Sequence, residues 1–426
     1  MASRSLKRAA LPGVAINPLY LLFALYLSAN LYSLLSTLLG MPVTIENEDY
    51  TFEAGTLWVA GTAVILSLFT CLLAFLAAEQ VVKPGPALAV QTTGAVVLLG
   101  MQMAFLAYNQ IYDVNVAGVV DESPGSPVLR LAFAIAQPDL LFLIFGIGIE
   151  SKLLFRANAL TYCVSLLLRS WIGGLYLLIV VLAVRAVPLR ITRRRLVHIV
   201  VLALVGLVAF PLLVSGKWFI RSGASIGAAL DFLSEVGYST YLLESVGYVL
   251  NRFQHIGHAA LILQSADNLN QAYEAGSFIP YWMDAAPQWL FMRLSGHEIV
   301  TINKFAVQSM FGSSNAAYAT HTGLAGWLFV LQYKSVFFAL YVIAVTFVPG
   351  LIVLRFAGRR YFLLVACFSL IYLFHGWIGA YVNLVLYLVV LIFAKRLSRR
   401  PIRAALSVHL AAESPDGAKP PLLTLH

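Results

Sequence analysis

Charge is what this sequence has little of. Only 11% of its 426 residues are charged, whereas 60% are apolar and the mean hydropathy is +0.85. A soluble globular protein carries about 25% charged residues, so this chain lacks the charge needed to cover soluble domains of its length. The shortage excludes a soluble enzyme, a disordered chain and a fibrous repeat, and it predicts that most of the chain faces lipid.

Paired cysteines and cofactor motifs are lacking too. Cys71, Cys163 and Cys367 are far apart, and each lies within an apolar run, which predicts small buried hydrophobes rather than a disulfide or zinc framework. There is no P-loop and no GxGxxG motif, and the GxSxG match at 223–227 lacks the preceding strand that a nucleophile elbow requires. We therefore expect neither a metal nor another cofactor.

Long apolar runs, by contrast, are abundant. A helix that crosses a bilayer needs about 20 apolar residues. The stretches at 157–187 and 361–394 are each bounded by basic segments at both ends, so we expect each to form two short helices, with breaks at 169–174 and near His375. The fold class is predicted as all-α: a polytopic membrane protein with about ten transmembrane helices, some short or in hairpins, and a large helical periplasmic segment. The other runs cover about 17–40, 55–79, 87–112, 131–150, 196–215 and 322–354.

The few charges are unevenly placed. The loops at 41–54 and 113–129 contain acids but no Lys or Arg, whereas 185–195, 355–360 and 395–403 are strongly basic. The positive-inside rule puts the basic segments and both termini in the cytoplasm. The net charge of +9 therefore marks orientation and does not indicate nucleic-acid binding.

This topology divides the chain into four parts. Residues 1–215 are predicted to be the N-terminal membrane helices, including the hairpin at 157–187, and 216–321 the large periplasmic segment. Residues 322–403 are the C-terminal membrane helices and 404–426 a cytoplasmic tail. The outer segment contains acids, bases, many aromatics and four histidines, and we expect amphipathic helices on the membrane surface within 230–263. Function is expected here.

The positive-inside rule does not explain the few positive residues outside the cytoplasmic segments, chiefly Arg169, Arg221, Arg252, Arg293 and Lys304. Arg169 interrupts an apolar run beside a serine and two glycines. It is either a structural or snorkelling residue at a helix end, or an anion site at the lipid–water boundary, suited to the diphosphate of a polyprenyl carrier. Arg252, beside an apolar helical face, is a surface residue or an anion ligand. Arg221, just after an apolar run, is an interfacial anchor or a further ligand.

The histidines of the outer segment are weighed in the same way. His255 and His258 have the i, i+3 spacing of one helix face, but no HExxH motif or third ligand accompanies them, which argues against a metal pair. His321, just before the next apolar run, is a candidate general base. His375 lies in a predicted membrane turn and is assigned no role.

Several stretches together resemble the Wzy-type oligosaccharide repeat-unit polymerases, which are relatives of the O-antigen ligases. LLLRSWIGGLYLL resembles the Ser-Arg-Gly hairpin of that family, and Asn251-Arg252-Phe253 resembles its Arg-Phe motif. Two departures are present: Gln288 stands where the polymerases have an arginine, and Ser314-Asn315 replaces the His-Asn of the ligases. Further matching positions are Gly276, Ser277, Pro287, Asn315, Tyr318, Gly323 and Gly326.

The resemblance implies a membrane glycosyltransferase in the bacterial inner membrane. Such a protein transfers the growing glycan from its undecaprenyl-diphosphate carrier to a sugar hydroxyl of the incoming unit, at the periplasmic face, often beside a chain-length regulator. The alternatives are an O-antigen-type ligase and a polysaccharide-precursor flippase or permease, although no internal repeat supports a transporter. For the diphosphate we expect Arg169 and Arg252, with Arg221 and Arg293 as lesser candidates, and for glycan contact Tyr281, Trp282 and Trp289. The resemblance does not identify the general base, which we expect to be His258, His321 or an acid of the outer segment.

Overall fold

A computed structural model describes residues 14–45, 48–119, 125–222, 226–285, 294, 300–312 and 320–412. The chain is about 79% helical with almost no sheet. Two short antiparallel pairs form within the described residues: β1 (Val14–Ile16) with β4 (Leu189–Ile191), and β2 (Val43–Ile45) with β3 (Glu48–Tyr50). The all-α prediction is confirmed.

Seven helical segments of the described chain are long and apolar enough to cross a membrane. The protein is therefore a multi-pass membrane protein. A shorter apolar helix, Gly173–Arg185, adds to them, and the expected total of about ten stays a prediction. The seven segments are Pro18–Leu38, Ala54–Val81, Thr92–Tyr112, Pro127–Gly148, Arg193–Arg221, Gly323–Ala357 and Ile378–Lys395.

The first helices begin at capping residues that the sequence supplies. The side chain of Asn17 accepts a hydrogen bond from Leu19 N at the start of α1, and Ser151 caps α6 in the same way through Leu154 N. Such caps satisfy backbone N–H groups that have no partner within the helix. The helices are α1 (Pro18–Leu38), α2 (Ala54–Val81), α3 (Thr92–Tyr112), α4 (Pro127–Ala136), α5 (Pro138–Phe145), α6 (Lys152–Leu168) and α7 (Gly173–Arg185). The break between α6 and α7 is at 169–172, within the stretch where the sequence predicts a hairpin tip.

The eighth helix is longer than its apolar run. α8 (Arg193–Arg221) continues past residue 215, so Lys217 and Arg221 lie on its last turns, four residues apart and therefore on one face. The segment after it forms α9 (Ile226–Val236), α10 (Tyr238–Asn251), α11 (Ile256–Gln264), α12 (Ala266–Glu274) and α13 (Ile302–Phe311). α9 and α10 pack on α8 through Leu233, Tyr241 and Val214.

The C-terminal helices complete the buried core. α14 (Gly323–Leu331) and α15 (Ser335–Ala357) are joined by a 3-10 turn, and α16 (Arg359–Phe368) continues as a π-helical segment, Ser369–Leu373. α17 (Ile378–Ala412) follows the turn that contains His375. Cys71 and Cys367 are buried in this core as predicted, and Cys163 is partly buried.

One part of the expectation about the outer segment is wrong. We expected amphipathic surface helices within 230–263, and α11 departs from this because it lies inside the protein, packed on α1, α2 and α14. Residues 256–260 are all buried. The physical reason is that IGHAALIL is apolar all round, which is typical of a buried helix. A side chain at Gly257 would meet Val43 and Ile45 within 3.2 Å, so glycine allows this close approach.

Candidate functional site

Arg252, at the C-terminal end of α10, connects two groups of polar side chains. Its Nη2 donates a hydrogen bond to the Tyr248 hydroxyl at 2.9 Å, one turn earlier in the same helix. Its Nη1 donates to Nε2 of His321 at 2.7 Å, in the segment leading into α14. The planar fork of an arginine suits this, because one guanidinium can bond in two directions.

Lys217 of α8 approaches the same phenol from the other side. Its Nζ donates to the Tyr248 hydroxyl at 2.8 Å, so two cations meet at one oxygen. Within the part of the chain that the structure describes, neither Lys217 nor Arg252 has a carboxylate within 4 Å. We call Lys217, Tyr248 and Arg252 the cationic cluster. Its unneutralised charge favours an anionic ligand.

The cationic cluster changes the acidity of its tyrosine. Burial by itself raises the pKa of Tyr248, but the charges and hydrogen bonds of Arg252 and Lys217 outweigh burial, so the pKa lies below that of an ordinary phenol. Arg221 extends the positive region, because its guanidinium is close enough to repel Lys217. It lies over the Trp218 ring, 5.2 Å from the centroid.

Four histidines from three separate parts of the chain meet beside Arg252. We call His255, His258, His321 and His375 the histidine cluster, and all four are buried. The ring centroids are 4.3 Å apart for His255 and His375, 5.2 Å for His321 and His375, and 6.0 Å for His258 and His321. Within the described residues, no group of His, Cys, Asp and Glu side chains has the arrangement of a metal site.

Two asparagines hold the backbone around the histidine cluster. Asn30 of α1 accepts from His255 N at 2.8 Å and donates to Phe253 O at 3.0 Å. Asn303 of α13 accepts from the Thr322 hydroxyl at 2.6 Å and donates to Gly376 O at 3.4 Å. These buried bonds link segments that are far apart in sequence, so they fix the backbone at His255 and next to His321 and His375.

Two rings of the histidine cluster, those of His255 and His321, are held in the neutral form. Burial, and next the positive charge of Arg252, lower the pKa of His321 well below its ordinary value. Burial likewise lowers the pKa of His255, and His375 and His258 add to that shift. Because Nε2 of His321 accepts from a guanidinium, the single proton of this neutral imidazole is on Nδ1. Within the described parts of the chain, Nδ1 of His321 and both nitrogens of His255 are buried without a hydrogen-bond partner, and such groups normally have one.

Arg169 is paired with an acid, and the hydroxyl of the adjacent Ser170 donates to Lys217 O at 3.4 Å. The guanidinium of Arg169 forms an ion pair with Asp139 of α5, and its Nε donates to Ser165 O at 3.1 Å. It also lies over the Phe105 ring, 4.8 Å from the centroid, and is only 4% exposed. These contacts favour a structural role for Arg169, because a buried arginine with a carboxylate partner has little charge left for a ligand. Its diphosphate-binding role stays a prediction.

The residues predicted to contact the glycan differ in their exposure. Tyr281 is buried among aromatic rings, with Trp327, Phe338 and Tyr341 within 5.7 Å between centroids, so it is a packing residue. Trp282 is 47% exposed and is available for contact. Arg293 and Trp289 lie outside the described residues.

The structure brings together Arg252, His258 and His321 of the residues that the sequence singled out. Sequence reasoning missed Lys217, Tyr248 and His375 and gave His255 no catalytic role. The i, i+4 spacing, which puts two side chains on one helix face, joins Lys217 to Arg221 and Tyr248 to Arg252. This spacing could have identified Lys217 and Tyr248 from the sequence. His375 had no local signal, because Tyr26, which bonds its Nε2 at 2.7 Å, is 349 positions away.

Comparisons with models of protein families, with curated proteins and with solved structures find no match to this chain.

Proposed function

We propose that this protein is a membrane glycosyltransferase that polymerises lipid-diphosphate-linked oligosaccharide repeat units. The observation that carries the proposal is the position of Arg252, which bonds both the cationic cluster and the histidine cluster. The cationic cluster, as a site for a leaving diphosphate, is thus one hydrogen bond away from the neutral imidazole of His321. Transfer of a glycan from a diphosphate to a hydroxyl calls for groups that stabilise the leaving charge and for a group that accepts the proton. The motifs that resemble Wzy-type polymerases include Arg252.

The transfer breaks one bond and forms another. The bond between the anomeric carbon of the growing glycan and the carrier's diphosphate oxygen breaks, and the diphosphate leaves with the electron pair. Lys217 and Arg252 stabilise the negative charge that develops there, which is the largest single contribution that such sites make. The anomeric carbon bonds to a hydroxyl oxygen of the incoming unit, and the hydroxyl proton passes to a base.

The histidine cluster supplies that base. His321 already uses Nε2 to accept from Arg252, so we assign it to positioning the guanidinium. His258 is the most exposed of the four histidines at 8%, and we assign the proton to it. A neutral imidazole is the form that can accept a proton.

We also propose a donor, a location and a protein partner for this reaction. The donor is an undecaprenyl-diphosphate-linked oligosaccharide whose polyprenyl chain lies in the bilayer, and the reaction takes place at the periplasmic face of a bacterial inner membrane. A polysaccharide chain-length regulator is the expected protein partner. Because the donor is already activated, the reaction needs neither nucleotide nor metal.

Deletion of the chain in its native bacterium tests the proposed function. Gel analysis of surface polysaccharide should show single repeat units attached and no long chains. Loss of all attached material would point instead to a ligase or flippase. Complementation with Arg252→Ala or Lys217→Ala should fail to restore long chains, whereas Arg193→Ala, at the other end of α8, should restore them.

A further inference from the structure

A cavity of about 390 Å³, lined in part by charged side chains, lies between four connections of the membrane helices. It is lined by 87–89 after α2, 147–150 after α5, Arg185 at the end of α7, and Arg360 and Tyr361 at the start of α16. This volume is within the range of about 300–1,000 Å³ that is usual for small-ligand sites. None of the lining residues belongs to the cationic cluster or the histidine cluster.

Two arginines of this cavity are not neutralised by any acid of the described chain. Nη1 of Arg185 donates to Gly146 O at 2.8 Å, and Nη2 of Arg360 donates to Val187 O at 3.2 Å. The two guanidiniums repel each other, and neither has a carboxylate within 4 Å among the described residues. Each guanidinium has five N–H donors, so donors remain on both for an anion between them.

A buried hydroxyl provides a second, independent sign of a ligand. Tyr361 is only 1% exposed, and its hydroxyl has no hydrogen-bond partner among the residues that the structure describes. The hydroxyl lies against Gly148, where a side chain would approach it to 2.3 Å. A buried hydroxyl without a partner is costly, and the cavity that Tyr361 lines is the place from which an acceptor oxygen can reach it.

The cavity lies where lipid headgroups are expected. Hydrogen bonds from Gly85 N to Leu354 O and from Lys395 Nζ to Ala89 O connect the segments around it. The sequence places these connections at the cytoplasmic ends of their helices, at the level of the anionic lipids of that leaflet. Glu150 is the one acid in the lining, so the two arginines outweigh it.

We propose that this cavity is a binding site for a phosphate group, with Arg185 and Arg360 pairing its oxygens and the Tyr361 hydroxyl donating to one of them. The phosphate group belongs either to the headgroup of an anionic lipid or to free inorganic phosphate. Arginine is well suited to this task, because its planar fork matches two phosphate oxygens. The site does not depend on the glycosyltransferase proposal.

Thermal unfolding of the purified full-length chain in neutral detergent tests the site. Short-chain phosphatidic acid should raise the unfolding temperature in a saturable way, because a ligand that binds only the folded state stabilises it. Diacylglycerol of the same chain length, which lacks the phosphate, should not. If inorganic phosphate gives the same saturable increase, the ligand is the free anion, and if only the lipid does so, it is a headgroup.

Matched variants separate this site from general attraction between opposite charges. Arg360→Gln should weaken phosphatidic acid binding about tenfold, the value of one charge-assisted hydrogen bond. Arg359→Gln, which removes a neighbouring arginine paired with Glu79, should not weaken it. Glu150→Gln should tighten binding, and Tyr361→Phe should weaken it while raising the stability of the ligand-free protein. Equal effects of Arg359→Gln and Arg360→Gln, equal stabilisation by diacylglycerol, or no response to either phosphate ligand would overturn the proposal.

Discussion

Arg252 is the residue on which the account depends most. It bonds a tyrosine and a histidine at once, and no other side chain of the described chain joins the two clusters in this way. A lysine at this position would keep the charge but lose the fork that reaches both partners. We therefore expect the function to need both the planar geometry and the charge of the Arg252 guanidinium.

Substitution of Arg252 should separate geometry from charge. We expect Arg252→Ala to lower the polymerisation rate about a hundredfold, the usual effect of removing one donor to a developing negative charge. Arg252→Lys should lower it about tenfold, because the charge remains and the bond to His321 is lost. The measurement is the rate of chain extension at equal amounts of folded protein. Equal rates for Arg252→Lys and the unsubstituted protein would show that the fork is unimportant.

The neutral state of His321 predicts a dependence of stability on pH. The folded-state pKa of His321 is lowered, whereas the unfolded chain has an ordinary value of about 6.5. Below that value the unfolded state binds a proton that the folded state does not, so stability decreases as the pH falls from about 6.5 toward the folded-state pKa. The loss is up to about 1.4 kcal/mol per pH unit.

The unfolding temperature between pH 8 and pH 5 is the measurement. His321→Asn should reduce the decrease seen toward low pH, whereas His198→Asn, at an exposed position of α8, should leave it unchanged. The same decrease in all three proteins would mean that His321 does not cause it.

At the scale of elements, the ion pair between Arg169 and Asp139 attaches the hairpin of α6 and α7 to α5. Removing one partner of a buried pair leaves the other charge uncompensated. We expect Arg169→Ala and Asp139→Ala each to lower the free energy of unfolding by about 3 kcal/mol. Thermal unfolding of the purified variants measures this loss.

The double variant distinguishes a structural pair from a substrate site. Replacing both Arg169 and Asp139 with leucine should cost less than the sum of the two single leucine variants, because the two residues are coupled. Arg156→Ala, at an exposed position on α6, should have little effect. A fully stable Arg169→Ala protein that makes no long chains would restore the diphosphate role that the sequence suggested.

The sequence predicted the positions of the helices far better than it predicted the contacts between them. Apolar runs of about 20 residues located most membrane helices, because each run must by itself cross the hydrocarbon core. The same patterns did not show that Asp139 pairs with Arg169, or that α11 is buried, since burial depends on which helices surround a segment. Arg252 and His321 were singled out as separate residues, and their contact across 69 positions came only from the fold.

The cationic and histidine clusters lie on one side of the membrane in the proposed topology, and the phosphate cavity lies on the other. The two clusters are formed by the end of α8, the segment between α8 and α14, and the turn at His375, which the positive-inside rule places outside. The phosphate cavity is formed by connections that the same rule places inside. The basic residues on the cytoplasmic side thus set the orientation of the chain. We propose that basic residues also bind anions on both sides of the membrane.

Cysteine labelling tests this orientation. In a chain whose own cysteines are replaced, Lys304→Cys should react with a membrane-impermeant maleimide in intact spheroplasts. Arg193→Cys should react only after the membrane is permeabilised, because it is at the other end of α8 from Lys217. Labelling of Arg193→Cys in intact cells, with Lys304→Cys protected, would show that the topology is inverted.

The most direct test of the central claim is chain extension by the purified protein. Lipid-linked repeat units extracted from the deletion strain are supplied to the full-length protein in lipid nanodiscs, and the length of the lipid-linked glycan is measured on gels. The account predicts a ladder of longer chains with the unsubstituted protein and with Arg193→Ala, and single units with Arg252→Ala. Single units with the unsubstituted protein, or a full ladder with Arg252→Ala, would contradict it.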